Sequence, residues 1–390
     1  MSRLHPLLAL TLAVCLNAAA TAQGRPPAEP EALEPLAALG QKIFHDTSLS
    51  SPPGQACASC HDPERAMTDP DTSLPTSRGV IPGRAGNRNT PTAMYAAFSP
   101  YPHVDADAGL FVGGQFLDGR AATLEVQARG PFLNPLEMAN PDAATVVAKL
   151  RAAPYAEAFL RVFGPDALDE VDAAYARIAQ AIAAFERTTR FAPFSSKYDA
   201  YLAGRARLSG RERRGLAVFE DPARGNCAAC HTSAPAQDGT PPLFTDFSYD
   251  NLGVPRNPAN PFYRQPANAA GHAWVDTGLG ATTGLAGDEG KFKVPTLRNI
   301  TRTAPYMHNG YFASLRGVIE FYNSRDRLRA CRSDWTDERS ARRAHCWPAP
   351  EVARNVNADE LGNLGLSERE IDDLLAFLDT LTDGWTPRHP

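Results

Sequence analysis

The sequence predicts an all-α fold of two similar helical domains joined through long irregular loops. Three observations lead there. Apolar residues recur at helical spacing in several stretches, while runs of strict apolar–polar alternation are few. Proline (34) and glycine (29) are abundant in the 390 residues, so much of the chain must be loop. The pattern Gly-x-x-[Ile/Val]-Phe-x-Asp occurs twice, at residues 40–46 and 215–221, each time ahead of a Cys-x-x-Cys-His pentapeptide. Such a duplication marks two copies of one structural unit.

In chain order, residues 1–22 read as an export signal. Arg3 supplies a short basic region, residues 7–16 an apolar one, and Ala20-Thr21-Ala22 a small-residue cleavage site. The mature chain is expected to begin near Gln23 and to be periplasmic. The apolar run is too short to cross a bilayer, and no later segment is long enough, so no membrane span is expected. Residues 23–35 are rich in Pro, Ala and Glu and read as a flexible lead-in. The N-terminal domain, 36–204, opens with the helix that carries Gly40, Ile43 and Phe44. It closes with a helix over 171–187, where alanine, isoleucine and phenylalanine fall at helical spacing. Ser209-x-x-Glu212 is a capping box that opens the C-terminal domain, 205–390. Residues 235–290 read as irregular loops, and 326–358, rich in arginine and holding two extra cysteines, as an insertion. Ser367-x-x-Glu370 starts a last amphipathic helix over 368–381, with Leu366 and Ile371 as its hydrophobic staple.

The chemistry lies in the two pentapeptides. Cys57-Ala58-Ser59-Cys60-His61 and Cys227-Ala228-Ala229-Cys230-His231 are covalent haem attachment sites. Two thiols add to the haem vinyl groups, and the adjoining His61 or His231 becomes the proximal ligand of the iron. Zinc would need a second ligand pair that neither motif has nearby. A dithiol redox pair would not explain a histidine after both copies. The cofactors expected are therefore two c-type haems, and the fold becomes two cytochrome c-like haem domains. Of seven cysteines, Cys15 leaves with the signal and four hold haem. Cys331 and Cys346 remain, an even pair in an oxidising compartment, and a disulfide is expected between them. A net charge of −5 gives no sign of a nucleic-acid partner.

An axial position that is filled favours electron transfer, and one that is open admits a small oxidant such as peroxide. Two haems in one chain allow a division of labour, but the motifs alone name no reaction. Other residues go further. Phe292-Lys293-Val294-Pro295-Thr296-Leu297-Arg298-Asn299, followed by Ala304-Pro305-Tyr306-Met307-His308-Asn309-Gly310, resembles a stretch of the bacterial diheme cytochrome c peroxidase/MauG superfamily. Asp118-Gly119-Arg120-Ala121 and Asn134-Pro135-Leu136-Glu137-Met138 match it too, and the likeness covers residues 36–383.

The resemblance implies roles. His61 would serve the peroxidatic haem, and His231 the electron-transfer haem. Counting fourteen residues from His308 lands on Tyr322, where the peroxidases carry a methionine ligand and the MauG branch a tyrosine. Tyr322 is thus the expected second axial ligand, with Met307 as competitor. The loop that often supplies a closing histidine to the first haem, residues 74–89, has none, and His103 aligns poorly, so that haem is expected to be open. Gln127, Pro131 and Glu137 fall at the distal positions, with Glu137 as general acid/base and Gln127 orienting peroxide. Asn89 by its side chain, and Thr303 and Pro305 by their carbonyls, match a calcium site between the domains. His308, Arg298 and Lys293 would pair with propionates or pack at the domain seam. One departure stands out: Leu117 occupies the place where the family has a tryptophan between the haems, and an aliphatic side chain cannot carry a hole. Inter-haem transfer would then be direct, use another aromatic such as Phe116, or be slower.

The implied activity is that of an exported peroxidase that reacts with hydrogen peroxide at the first haem and exchanges electrons through the second. Tyr322 and the missing loop histidine favour MauG-like oxidation of a protein or organic substrate, and Leu117 weighs against it. The alternatives are peroxide detoxification with electrons from a small cytochrome c or cupredoxin, and a non-enzymatic diheme electron carrier.

Overall fold

The computed structural model describes residues 33–387. The expected signal, nearly all of the lead-in, and His389 lie outside that range. Among the described residues the regular structure is eleven α-helices and six strands of two residues each. The helices are α1 (Pro35–Phe44), α2 (Leu124–Leu133), α3 (Ala143–Ala152), α4 (Ala156–Phe163), α5 (Val171–Glu186), α6 (Lys197–Leu202), α7 (Gly210–Glu220), α8 (Leu279–Thr283), α9 (Leu315–Ser324), α10 (Glu338–Ala344) and α11 (Glu368–Asp379).

Two helix crossings form the frame, and the repeated sequence pattern explains both. On α1, Gly40 lies against α5, where an added Cβ would sit 1.8 Å from the Ala181 carbonyl oxygen. On α7, Gly215 lies against α11 in the same way, with 2.0 Å to the Asp373 carbonyl oxygen. Only glycine lets two backbones approach this closely. The phenylalanine four residues on then meets the partner helix edge-to-face. Phe44 packs on Phe185 at 5.5 Å and on Phe191 at 5.8 Å, and Phe219 packs on Phe377 at 5.1 Å and Phe244 at 6.1 Å. Gly40→Ala is expected to destabilise the holoprotein by about 3 kcal/mol, at or above the upper end of ordinary overpacking. The check is the denaturant midpoint at unchanged haem content. Gly287→Ala, which meets nothing within 4 Å, serves as the neutral control.

Local signals set the ends of these helices. Pro35 sits in the first turn of α1, where its missing N–H costs nothing. Ser209 Oγ accepts from Glu212 N and Glu212 Oε2 from Ser209 N, so α7 begins on the expected box. Ser367 and Glu370 do the same for α11. Leu366 and Ile371 are both buried in one cluster with Phe219, Phe244 and Phe377, consistent with the staple. Ala174, Ile178, Ile182 and Phe185 form the buried stripe of α5.

The strands are too short for any alternation to announce them. β1 (His103–Val104) and β2 (Phe111–Val112) pair antiparallel, as do β3 (Tyr249–Asp250) and β4 (Phe292–Lys293). β5 (Arg329–Ala330) and β6 (Cys346–Trp347) pair parallel, beside the Cys331–Cys346 disulfide. The insertion is therefore folded onto the body. The Trp347 indole donates to Ser324 Oγ at 3.0 Å and packs on Phe312 and Phe321. No helix among the described residues is long and apolar enough to cross a membrane.

Candidate active site and haem centres

Each pentapeptide is one tight turn. The amides of Cys60 and His61 both donate to the Cys57 carbonyl, and that of His231 to the Cys227 carbonyl. The turn brings both thiols and the imidazole together. His61 Nδ1 meets the Met67 carbonyl at 2.9 Å, and His231 Nδ1 meets the Phe244 carbonyl at 2.8 Å. A carbonyl can only accept, so Nδ1 carries the proton and Nε2 keeps its lone pair. This is the tautomer an iron ligand needs, with a backbone acceptor fixing the ring. Burial also lowers both imidazole pKa values and keeps the rings neutral. The four thiols are free of disulfides, and burial pushes those of Cys60, Cys227 and Cys230 up to about 12. The thiols are therefore protonated and unpaired, available for thioether formation. The residues thus fit two covalently attached haems, each of which would supply redox-active iron.

The second motif opens on a cavity of about 340 Å³ lined by Cys227, Cys230, His231, Met307 and Tyr322 among others. The two axial-ligand candidates meet there, the Tyr322 hydroxyl lying 4.0 Å from Met307 Sδ. Tyr322 is carried on α9, which Ser314 caps. Burial pushes its phenol up, and the nearby Cys227, Cys230 and Asp250 add to that, so a cation beside the oxygen is what would make phenolate the stable form.

At the first motif, Gln127 and Pro131 lie four residues apart on α2, and so on one face. The Met138 amide donates to the Pro131 carbonyl at 3.2 Å and fixes the turn that carries Glu137. Glu137 is half-buried, and Asn134 Nδ2 donates to its Oε1 at 2.7 Å. Burial raises its pKa, against the opposing pull of Arg120 and Asn134. Its charge is felt at both Cys57 and Cys60 and raises their thiol pKa slightly. His45, His103, His272 and His345 are all exposed.

Asn89 Nδ2 donates to the Pro305 carbonyl at 2.6 Å, and Asn89, Thr303 and Pro305 all line the cavity. The same Nδ2 also donates to the Met307 carbonyl at 3.3 Å, so as placed the amide presents a donor; only turned over would Oδ1 join these carbonyls as the hard oxygens calcium takes.

Of its two expected roles, Arg298 displays packing. It is buried and holds Asp199 through two bonds of 2.8 and 2.9 Å, with Nε on the Pro242 carbonyl at 2.7 Å. Lys293 donates to the Gly114 carbonyl at 2.6 Å and lines the cavity, its pKa lowered to about 8 by burial. Phe116 and Leu117 also line the cavity. The Phe116 ring lies under the Arg120 guanidinium at 3.5 Å and faces Gly130 of α2, so it spans from α2 to the cavity of the second motif.

Three features escaped the sequence. Arg88 bridges Asp276 and Asp118 with bonds of 2.6–2.7 Å. Glu186 is a buried carboxylate near Cys57, pushed up to about 8 by burial. Its only signal was an acid within the apolar stripe of α5. His308 stacks on Phe292 at 3.7 Å and faces Glu351 at 3.9 Å, and neither facing atom has another partner.

Residues 34–207 match the family model for di-haem cytochrome c peroxidase. Over 379 residues the chain is 42% identical to the methylamine utilization protein MauG of Paracoccus denitrificans, covering 95% of this chain and 94% of that one. The chain belongs to the di-haem cytochrome c peroxidase/MauG family. Cytochrome c551 peroxidase of Nitrosomonas europaea is 34% identical, with 80% of this chain and 82% of that one covered. The diheme peroxidase BthA from Burkholderia thailandensis shares the fold at a TM-score of 0.74 and 35% identity, covering 90% and 87%. Membership in the di-haem peroxidase/MauG family makes the protein a mostly helical oxidoreductase acting on peroxide, with two c-type haems. Relatives carry both names, MauG and peroxidase, so family membership alone leaves the substrate open.

Proposed function

We propose that this chain reduces hydrogen peroxide at the first haem site and draws the electrons, through the second, from an oxidisable protein or organic substrate in the periplasm. Cys57, Cys60 and His61 would hold the first haem. Cys227, Cys230 and His231 would hold the second, with Tyr322 as its other axial ligand. Asn89, Thr303 and Pro305 would hold calcium. Glu137 takes the proton from one peroxide oxygen and returns it to the other, which departs as water. Gln127, whose side-chain amide makes no hydrogen bond to the described residues, holds the peroxide by hydrogen bonding.

The observation that carries the substrate reading is the placement of Tyr322, partly buried and facing the cavity that His231 lines. A hard anionic donor stabilises oxidised iron, whereas a thioether favours the reduced form. Storage of oxidising power, rather than easy acceptance of electrons from a small carrier, is what the site supports. The test is steady-state peroxide consumption with a reduced small cytochrome c or cupredoxin as sole donor. Turnover should be slow and the oxidised protein long-lived. Fast turnover with that donor would favour detoxification instead.

A further inference from the structure

The segment 326–358 brings two side chains to opposite ends of one aromatic chain. At the inner end, Glu351 lines the cavity that His231 and Tyr322 also line. Its Oε1 accepts from the Tyr263 hydroxyl at 3.0 Å. Its Oε2 has no partner and lies 3.9 Å from the equally unpartnered Nε2 of His308. Tyr263 itself is only 1% exposed. Its ring meets Trp335 edge-on at 5.0 Å and Trp274 at 5.8 Å. Both tryptophans are partly exposed, and the Arg256 guanidinium lies over Trp335 at 5.7 Å. The Cys331–Cys346 disulfide closes the loop that carries Trp335.

We propose that Trp335 and Tyr263 form an electron relay from the protein surface to the wall of the second-haem cavity, with Glu351 taking the Tyr263 proton. The relay rests on the function proposed above, because hydrogen peroxide is its oxidant. Each peroxide takes up two electrons and two protons and leaves as two waters, so the relay passes two electrons in turn. In each pass Tyr263 loses one electron inward while its phenolic proton crosses to the Glu351 carboxylate, leaving a neutral tyrosyl radical. Trp335 then gives an electron to Tyr263, and the proton returns from Glu351. The oxidised indole is restored by one electron from an oxidisable side chain of a partner protein.

Physical chemistry favours this coupling. Burial and the Glu351 charge hold the Tyr263 phenol far above its ordinary pKa, so it is protonated at neutral pH. Removing an electron alone would leave a buried radical cation, a far stronger acid than the phenol, and keeping its proton there is costly. A carboxylate at hydrogen-bond distance removes that cost by accepting the proton. A merely structural Tyr263–Glu351 bond would hold the segment in place but would produce no radical.

The test is electron paramagnetic resonance on holoprotein frozen soon after mixing with equimolar hydrogen peroxide. A tyrosyl signal is expected, narrowed when the protein contains ring-deuterated tyrosine. Tyr263→Phe should lose it while keeping wild-type haem content and the wild-type initial Soret change. Trp335→Phe should lengthen its lifetime, because the radical is no longer refilled from the surface. Should Tyr263→Phe fail to fold, Glu351→Gln keeps a partner for the phenol but accepts no proton, and should also lose the signal. A tyrosyl signal unchanged in these variants, or no such signal despite a Soret change, overturns the relay alone. If peroxide leaves the Soret band unchanged, the first-haem reading fails and the relay falls with it for want of an oxidant.

Discussion

Tyr322→Met raises the midpoint potential of the second haem by on the order of 0.2 V, a fraction of the roughly 0.8 V range that axial ligation controls. The variant replaces an anionic oxygen donor with a neutral thioether, which prefers ferrous iron. Tyr322 and Met307 share one cavity wall, 4.0 Å apart, so a thioether already stands beside the phenol. Spectroelectrochemical titration of the holoprotein reads the shift. The variant should also accept electrons from a small cytochrome more readily than the native protein does. A potential that stays the same would mean that Tyr322 is a packing residue and that Met307 or another group fills the axial position.

Glu137→Gln slows the reaction with peroxide by about 10²–10⁴-fold, the usual contribution of a positioned acid/base. Haem content should not change, since the carboxyl holds no part of the attachment turn. The pH dependence carries the sharper signature. Only the ionised carboxylate takes a proton from peroxide, so the rate falls as pH drops through the Glu137 pKa. Burial lifts that pKa above its ordinary value, so the falling limb starts at higher pH than a solvated carboxylate would give. Stopped-flow rates across the acid range check this. The native enzyme should show the limb and the glutamine variant should lack it. A limb that survives the substitution assigns the titration to another group, with the buried Glu186 near Cys57 the first to examine.

The parts legible in the sequence are those where local pattern decides structure. Gly40 with Phe44 and Gly215 with Phe219 announced two helices, and the close crossings behind each glycine explain why the pattern recurs. Ser209 and Ser367 announced their helix starts because a capping box is complete within four residues. The pentapeptides announced two haems because spacing alone specifies that chemistry. What stayed hidden depends on partners far apart in the chain. Arg298 carries no local mark that it belongs to Asp199 rather than to a propionate. Glu351 looks like a surface acid until the fold sets it on Tyr263 and opposite His308. Arg88 reaches Asp276 across 188 residues, a pairing that the Asp118-Gly119-Arg120 motif hints at only on one side.

The inter-haem route remains the point where this chain differs most from the expected pattern. Leu117 lines the cavity but offers no oxidisable ring. Phe116, which spans from α2 to the same cavity beneath Arg120, supplies a contiguous path, though phenylalanine is itself hard to oxidise. A cation over the ring makes that oxidation harder still. Phe116 thus bridges α2 and the cavity by contact but offers no easily oxidised ring.

The most direct measurement mixes the fully ferric holoprotein with one equivalent of hydrogen peroxide, without reductant, and follows the Soret band by stopped flow. An open first haem, with Glu137 beside it and no histidine in the 74–89 loop, predicts a rapid change in the wild type and a slow one in Glu137→Gln. No reaction until one haem has first been reduced would contradict this, because it would mean that a ligand closes the first haem in the resting protein.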